Sequence, residues 1–292
     1  MDVYRLFKLM SDRSSHNKRI AKNTLFLYLR MGLVLVVSLF STRVVLQALD
    51  IEDYGINNVV SGFVTMFAFL NTSMSNGVQR FYNFSLGRKN GYSIKDVYNT
   101  ALQIQGILVV ILLVLLETFG MWYIHTQMVI PIDRFAAAQW VFQFSVLSLV
   151  LLVLQIPYSA AIMAYEKMDY YAYLSIFDVL AKLGIAYIIK YTTFDKLILY
   201  GALNMLVSLI CFFLYYGYAK SHFQDLKSDF IIRKQLFKPM LYFSGWNGFG
   251  SFAYMIKSQG LNMLLNVFFG PVVNAARGVS NMAMSAIQGF QS

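Results

Sequence analysis

Eight apolar stretches, each near or above the roughly 20 residues that carry a helix across a bilayer, follow one another along this 292-residue chain. That repetition restricts the fold more than any motif does. A bilayer core offers no hydrogen-bond partner to backbone N–H and C=O groups, so only helices and closed barrels span it. The runs here are continuous rather than short and alternating, which excludes a β-barrel. Only 13% of the residues are charged and 58% are hydrophobic, against about 25% charged in soluble domains. The expected class is all-α: a polytopic membrane protein of about eight transmembrane helices.

In chain order, residues 1–23 carry Arg5, Lys8, Arg13, Lys18, Arg19 and Lys22 with no apolar core, unlike a cleavable signal peptide. They read as a cytoplasmic tail. Spans are expected at about 24–49, 55–87, 97–123, 136–161, 170–189, 197–218 and 239–265, with an eighth opening at Pro271. A short acidic turn, Asp50–Tyr54, separates the first two, and Pro157 should kink or end the fourth. Trp122, Tyr123 and Trp140 suit interfacial anchors. The longest polar connection, 219–238, divides a six-helix lobe at 24–218 from two further helices at 239–292. The tail and the loops after even-numbered spans hold fifteen Lys and Arg, and the opposite loops only Arg134, Lys190 and Lys196. Positive charge stays inside, so the N-terminus is expected in the cytoplasm. The same placement explains the net charge of +10 without nucleic acid. Ser292 falls inside the eighth apolar run, so a fragment or truncated reading frame is expected.

Polar residues recur inside the spans at helical spacing. In the second, Asn57, Ser61, Thr65, Thr72, Ser75 and Gln79 fall three, four or seven apart, with Arg80 beside them. The seventh has Ser244, Asn247, Ser251, Tyr254 and Ser258 with Lys257, and the eighth Asn274, Arg277, Asn281, Ser285 and Gln288. Small polar residues also let membrane helices pack closely, so packing and a wet cavity are both open for any single stripe. Three stripes that carry cations favour a positively charged cavity. Arg30 and Arg43 stand thirteen residues apart, about 220° around an ideal helix, and do not share a face. Asp178 and Lys182, four apart on the fifth span, should form a structural ion pair.

No enzyme signature occurs. His16, His125 and His222 lack metal-ligand spacing, there is no phosphate-binding glycine loop, and the single Cys211 lies in an apolar run. No cofactor, metal or catalytic residue is expected.

Four blocks resemble the bacterial polysaccharide and O-antigen flippases: Asn17–Thr24, Glu52–Val60, Gln79-Arg80-Phe81 and Phe269–Gly278. The resemblance implies the fold of the multidrug/oligosaccharidyl-lipid/polysaccharide (MOP) exporters, with two six-helix lobes around a central cavity, of which this chain would hold the N-lobe and the start of the second. It implies a flippase that moves undecaprenyl-pyrophosphate-linked oligosaccharide across the bacterial inner membrane for surface polysaccharide synthesis. The expected partners are that lipid-linked oligosaccharide, membrane lipids and a coupling ion. Arg43, Arg80, Lys257 and Arg277 would hold the pyrophosphate and acidic sugars; Asn57, Thr72, Gln79, Asn247, Asn274 and Asn281 would solvate the glycan. The alternatives are a cation-coupled multidrug exporter of the same fold, which would want membrane carboxylates where this chain offers Asp178 and Glu117, and a non-functional truncated remnant.

Overall fold

The computed structural model describes residues 3–87, 92–126, 130–226 and 235–255, and every regular element among them is helical. Helix α1 covers Val3–Thr65 and is broken once, at Asp50. Helix α2 (Phe69–Leu86) follows a 3₁₀ turn at Met66–Ala68. Then come α3 (Ile94–Leu115), a π turn (Leu116–Gly120) and α4 (Met121–Thr126). Helices α5 (Phe135–Ala164), α6 (Met168–Lys190) and α7 (Lys196–His222) complete the bundle, and α8 covers residues 235–255. The expected eighth span lies outside the described residues.

Among the described residues five segments are long and apolar enough to cross a membrane: Thr24–Asp50, Ile94–Thr126, Ile132–Ala164, Met168–Lys190 and Lys196–His222. They match the first, third, fourth, fifth and sixth spans read from the sequence. Ile107, Val110, Ile111 and Val114 on α3, and Leu206 and Phe213 on α7, stay exposed. A band of large exposed apolar side chains suits acyl chains, not water. The chain is a multi-pass membrane protein.

The breaks differ in detail from what the sequence implies. The acidic turn is a single residue: Asp50 sits at φ 65° and the helix resumes at once. Aspartate is among the few residues that tolerate this left-handed region. Pro157 does not end α5, which continues to Ala164. The lost hydrogen bond is tolerated because Pro157, Ala160, Ala161 and Ile162 are all buried in tight helix contacts. The third span starts at Ile94 because Ser93 and Asp96 form a reciprocal capping box.

Two apolar clusters hold the bundle. The larger joins α2, α3, α5 and α7 around Tyr82, Tyr98, Phe142 and Ile156. The smaller joins Val44, Val45, Ala48 and Leu49 of α1 to Ile185, Ala186 and Ile189 of α6 and Val207 and Cys211 of α7. Gly120 admits the Phe142 ring: an added Cβ would stand 2.6 Å from its edge.

One end of the bundle is closed by an ionic clasp. Arg134 donates from Nε to Asp53 Oδ1 at 2.8 Å and from an Nη to Asp195 Oδ2 at 2.6 Å, with further contacts to both carboxylates. One planar guanidinium thereby ties together three connections that are far apart in sequence. Asp195 is also the N-cap of α7 and accepts from the amides of Leu197 and Ile198. Burial alone would raise its pKa, but the Arg134 hydrogen bond and those two amides outweigh it and hold the carboxyl below its ordinary value. A depressed folded-state pKa stabilises at neutral pH, and that contribution disappears as pH falls through the lowered value. Arg134→Gln should therefore cost about 1 kcal/mol at pH 7, because solvent screens so exposed a cluster. Thermal unfolding in detergent should show the gap between parent and variant closing below about pH 4.

Candidate functional site

A cavity of about 510 Å³ lies inside the bundle. Its walls come from Arg30 and Val34 on α1, Asn57, Ser61 and Val64 on the same helix beyond the Asp50 break, and Ala68 of the 3₁₀ turn. Ser145, Ser148 and Gln155 line it from α5, Ser175, Asp178 and Lys182 from α6, and Tyr200, Asn204, Ser208 and Tyr215 from α7. A row of polar groups this long is stable in a membrane protein only where it faces protein or water.

The hydroxyls are largely occupied within their own helices. Ser145, Ser148, Ser175 and Ser208 each donate to the carbonyl four residues back. Ser61 lies 3.2 Å from Asn57 Oδ1 and 3.1 Å from the Ser145 hydroxyl, which joins the lower part of α1 to α5. Lys182 Nζ lies 2.8 Å from Asp178 Oδ2. Among the described residues Arg30 pairs with no carboxylate: its guanidinium carbon sits 4.7 Å from the centre of the Tyr171 ring, and its Nε is buried without a hydrogen-bond partner.

A second arrangement lies where α2 meets α8. Both helices carry Ser-x-x-x-Gly, as Ser73–Gly77 and Ser244–Gly248. The Ser73 hydroxyl donates to the Ser244 carbonyl oxygen. An added Cβ at Gly77 would fall 2.0 Å from Ser244 Oγ, and one at Gly248 would fall 3.2 Å from Ser73 Oγ. Four small residues thus let two membrane helices meet along their backbones. Aromatic pairs flank the seam, Phe69 with Phe252 and Phe81 with Phe243.

The expected site residues divide between these two places. Asn57, Asp178 and Lys182 line the cavity. Arg80 lies at the α2–α8 seam with its guanidinium carbon 4.2 Å from the centre of the Phe243 ring. Asn247 donates to the Phe243 carbonyl at 3.1 Å. Thr72 is exposed beside Ser73, and Gln79 is half-buried. Ser244, expected on a cavity face, is buried against Gly77. Arg43 is exposed and does not line the cavity, whereas Arg30 does, in keeping with their separation of about 220°. Lys257, Asn274, Arg277 and Asn281 lie outside the described residues. Two cavity rows escaped the sequence reading: Ser145, Ser148, Leu152 and Gln155 on α5, and Tyr200, Asn204, Ser208, Cys211 and Tyr215 on α7. Both follow three-and-four spacing, so the signal was there; it carried no cation to draw notice.

The seam has a direct test. The Cβ added at Gly248 would stand 3.8 Å from Ser73 Cβ, the mean separation across a disulfide at about 3.8 Å. With Cys211 replaced by Ala and a protease site between the two positions, S73C/G248C should cross-link on mild oxidation and hold the cleaved halves together on a non-reducing gel. Adding Gly77→Val should abolish the cross-link, because the branched side chain has no room against Ser244.

No protein-family model and no curated protein matches the sequence. A solved structure from Pyrococcus furiosus, described as a MOP superfamily transporter whose binding pocket has reverse polarity, matches at TM-score 0.71 and 12% identity. The match covers 92% of this chain and 62% of that one, so this chain spans less than two thirds of the length of that transporter. At such identity the likeness speaks for architecture alone: over most of its length the chain has the helical fold of that MOP superfamily transporter.

Proposed function

We propose that this chain forms the N-lobe and the start of the second lobe of a MOP-type flippase in the bacterial inner membrane, with the N-terminus in the cytoplasm. Its cargo is undecaprenyl-pyrophosphate-linked oligosaccharide for surface polysaccharide. The observation that carries the choice of an anionic cargo is the state of the membrane carboxylates. Asp178, the one carboxylate among the described residues that line the cavity, is paired with Lys182 at 2.8 Å. Glu117 accepts from Gln143 at 3.1 Å. Cationic drugs and coupling cations need free carboxylates, whereas Asp178 and Glu117 are both engaged. The basic residues Arg43, Arg80, Lys257 and Arg277 supply the complementary charge for phosphate. The polar stripes solvate the glycan while the lipid tail remains in the bilayer.

In this reading the α2–α8 seam is a gate: it must part for cargo to pass between lobes. Two experiments on a version carrying a complete second lobe test it. Arg277→Ala combined with Arg80→Ala should lower flipping by about tenfold or more, seen as lipid-linked intermediate accumulating on the cytoplasmic leaflet. Unchanged flipping with Arg43, Arg80, Lys257 and Arg277 all replaced would rule out the assigned cation set. Separately, S73C/G248C should flip normally when reduced and stop when oxidised, with recovery on reductant.

A further inference from the structure

We infer that the cavity inside the bundle is a binding site for a small inorganic anion. Three ionisable side chains of fixed charge line it: Arg30, Lys182 and Asp178. Asp178 and Lys182 neutralise one another, which leaves Arg30 as an uncompensated positive charge. Arg30 forms no ion pair among the described residues; its neighbour is the Tyr171 ring, and its buried Nε donates to nothing. Its guanidinium is partly exposed with its Nε sealed from water, and among the described residues the lining supplies it no counter-charge.

The remaining lining selects the sign of the ligand. Ser145, Ser148, Ser175 and Ser208 spend their hydroxyl protons on carbonyls of their own helices. The donors left over include the N–H groups of Arg30, the remaining protons of Lys182, the amides of Asn57 and Gln155, and the hydroxyls of Tyr200 and Tyr215. Cationic and amide N–H groups around a polar void make an anion site. A cation entering the same space would face two positive groups and one carboxylate already engaged by Lys182. The volume of about 510 Å³ leaves room for the anion with part of its hydration shell. The inference rests on the charge of the cavity and not on the identity of the cargo.

The test is a bromide titration of the purified protein in detergent, at constant ionic strength against sodium gluconate, followed by thermal unfolding. Bromide should raise the midpoint saturably and gluconate should not. R30Q should weaken the apparent affinity by about tenfold or more, and R30K should recover part of it. D178N adds net positive charge, so it should tighten bromide binding even if R30Q folds poorly. The inference is overturned if parent protein responds equally to bromide and gluconate, or if R30Q responds as the parent does. It is also overturned if stabilisation follows sodium and vanishes in D178N.

Discussion

A lipid interior gives apolar helices no reason to associate, because acyl chains are as apolar as leucine. Cohesion must then come from close approach and from polar groups that have nowhere else to go. Both devices recur in this bundle. Gly77 faces Ser244, Gly120 faces Phe142, and an added Cβ at Gly201 would lie 3.2 Å from Phe144 and 3.4 Å from Val141. Each glycine marks a place where a side chain would hold two helices apart. The polar device is the Arg134 clasp, which joins connections 81 and 61 residues away along the chain. Between them the two devices fix the lobe at one end and along its seams.

The spans could be read from the sequence because the requirement is crude: enough apolar residues in a row. The Asp178–Lys182 pair was readable because the helix itself brings positions four apart together. What could not be read depends on departures from the ideal helix or on contacts between distant segments. The stripe from Asn57 to Gln79 assumes one uninterrupted helix. The 3₁₀ turn at Met66–Ala68 advances about 120° per residue instead of 100°, which rotates everything after it by about 60°. Asn57 and Ser61 therefore face the cavity as expected. Beyond the turn it is Ser73 and Gly77, not Thr72, that meet another helix. No glycine or proline lies within that turn. The clasp was invisible for a different reason: Asp53, Arg134 and Asp195 share no local pattern.

The charges also separate more sharply in space than along the chain. Read in order, Arg30, Arg43 and Arg80 form one series of intramembrane cations. In the fold they occupy three environments: Arg30 at the cavity, Arg43 exposed, Arg80 over aromatic rings at the seam. A guanidinium on an aromatic face keeps its charge while shedding part of its water, so Arg80 is held at the seam without a carboxylate neighbour. Treating these residues as one electropositive lining would merge a charge at the cavity with others placed at contacts and surfaces.

The helical run from residue 51 to Leu86 belongs to both places at once. Its first arm supplies Asn57, Ser61 and Val64 to the cavity, its second supplies Ser73, Gly77 and Arg80 to the α2–α8 seam, and the 3₁₀ turn between them contributes Ala68 to the cavity wall. Hydrogen-bond geometry is poorer in a 3₁₀ turn than in an α-helix, so bending concentrates there. Parting the seam requires α2 to move away from α8. The Ser61–Ser145 contact holds the first arm to α5, which leaves the turn at residues 66–68 as the joint that absorbs the motion. Any ligand whose contacts include the cavity wall then has differential contact with the two positions of α2. If the seam is the gate proposed above, occupancy of the cavity and closure of the seam would be thermodynamically linked through this one helix, and the linkage would act equally in both directions.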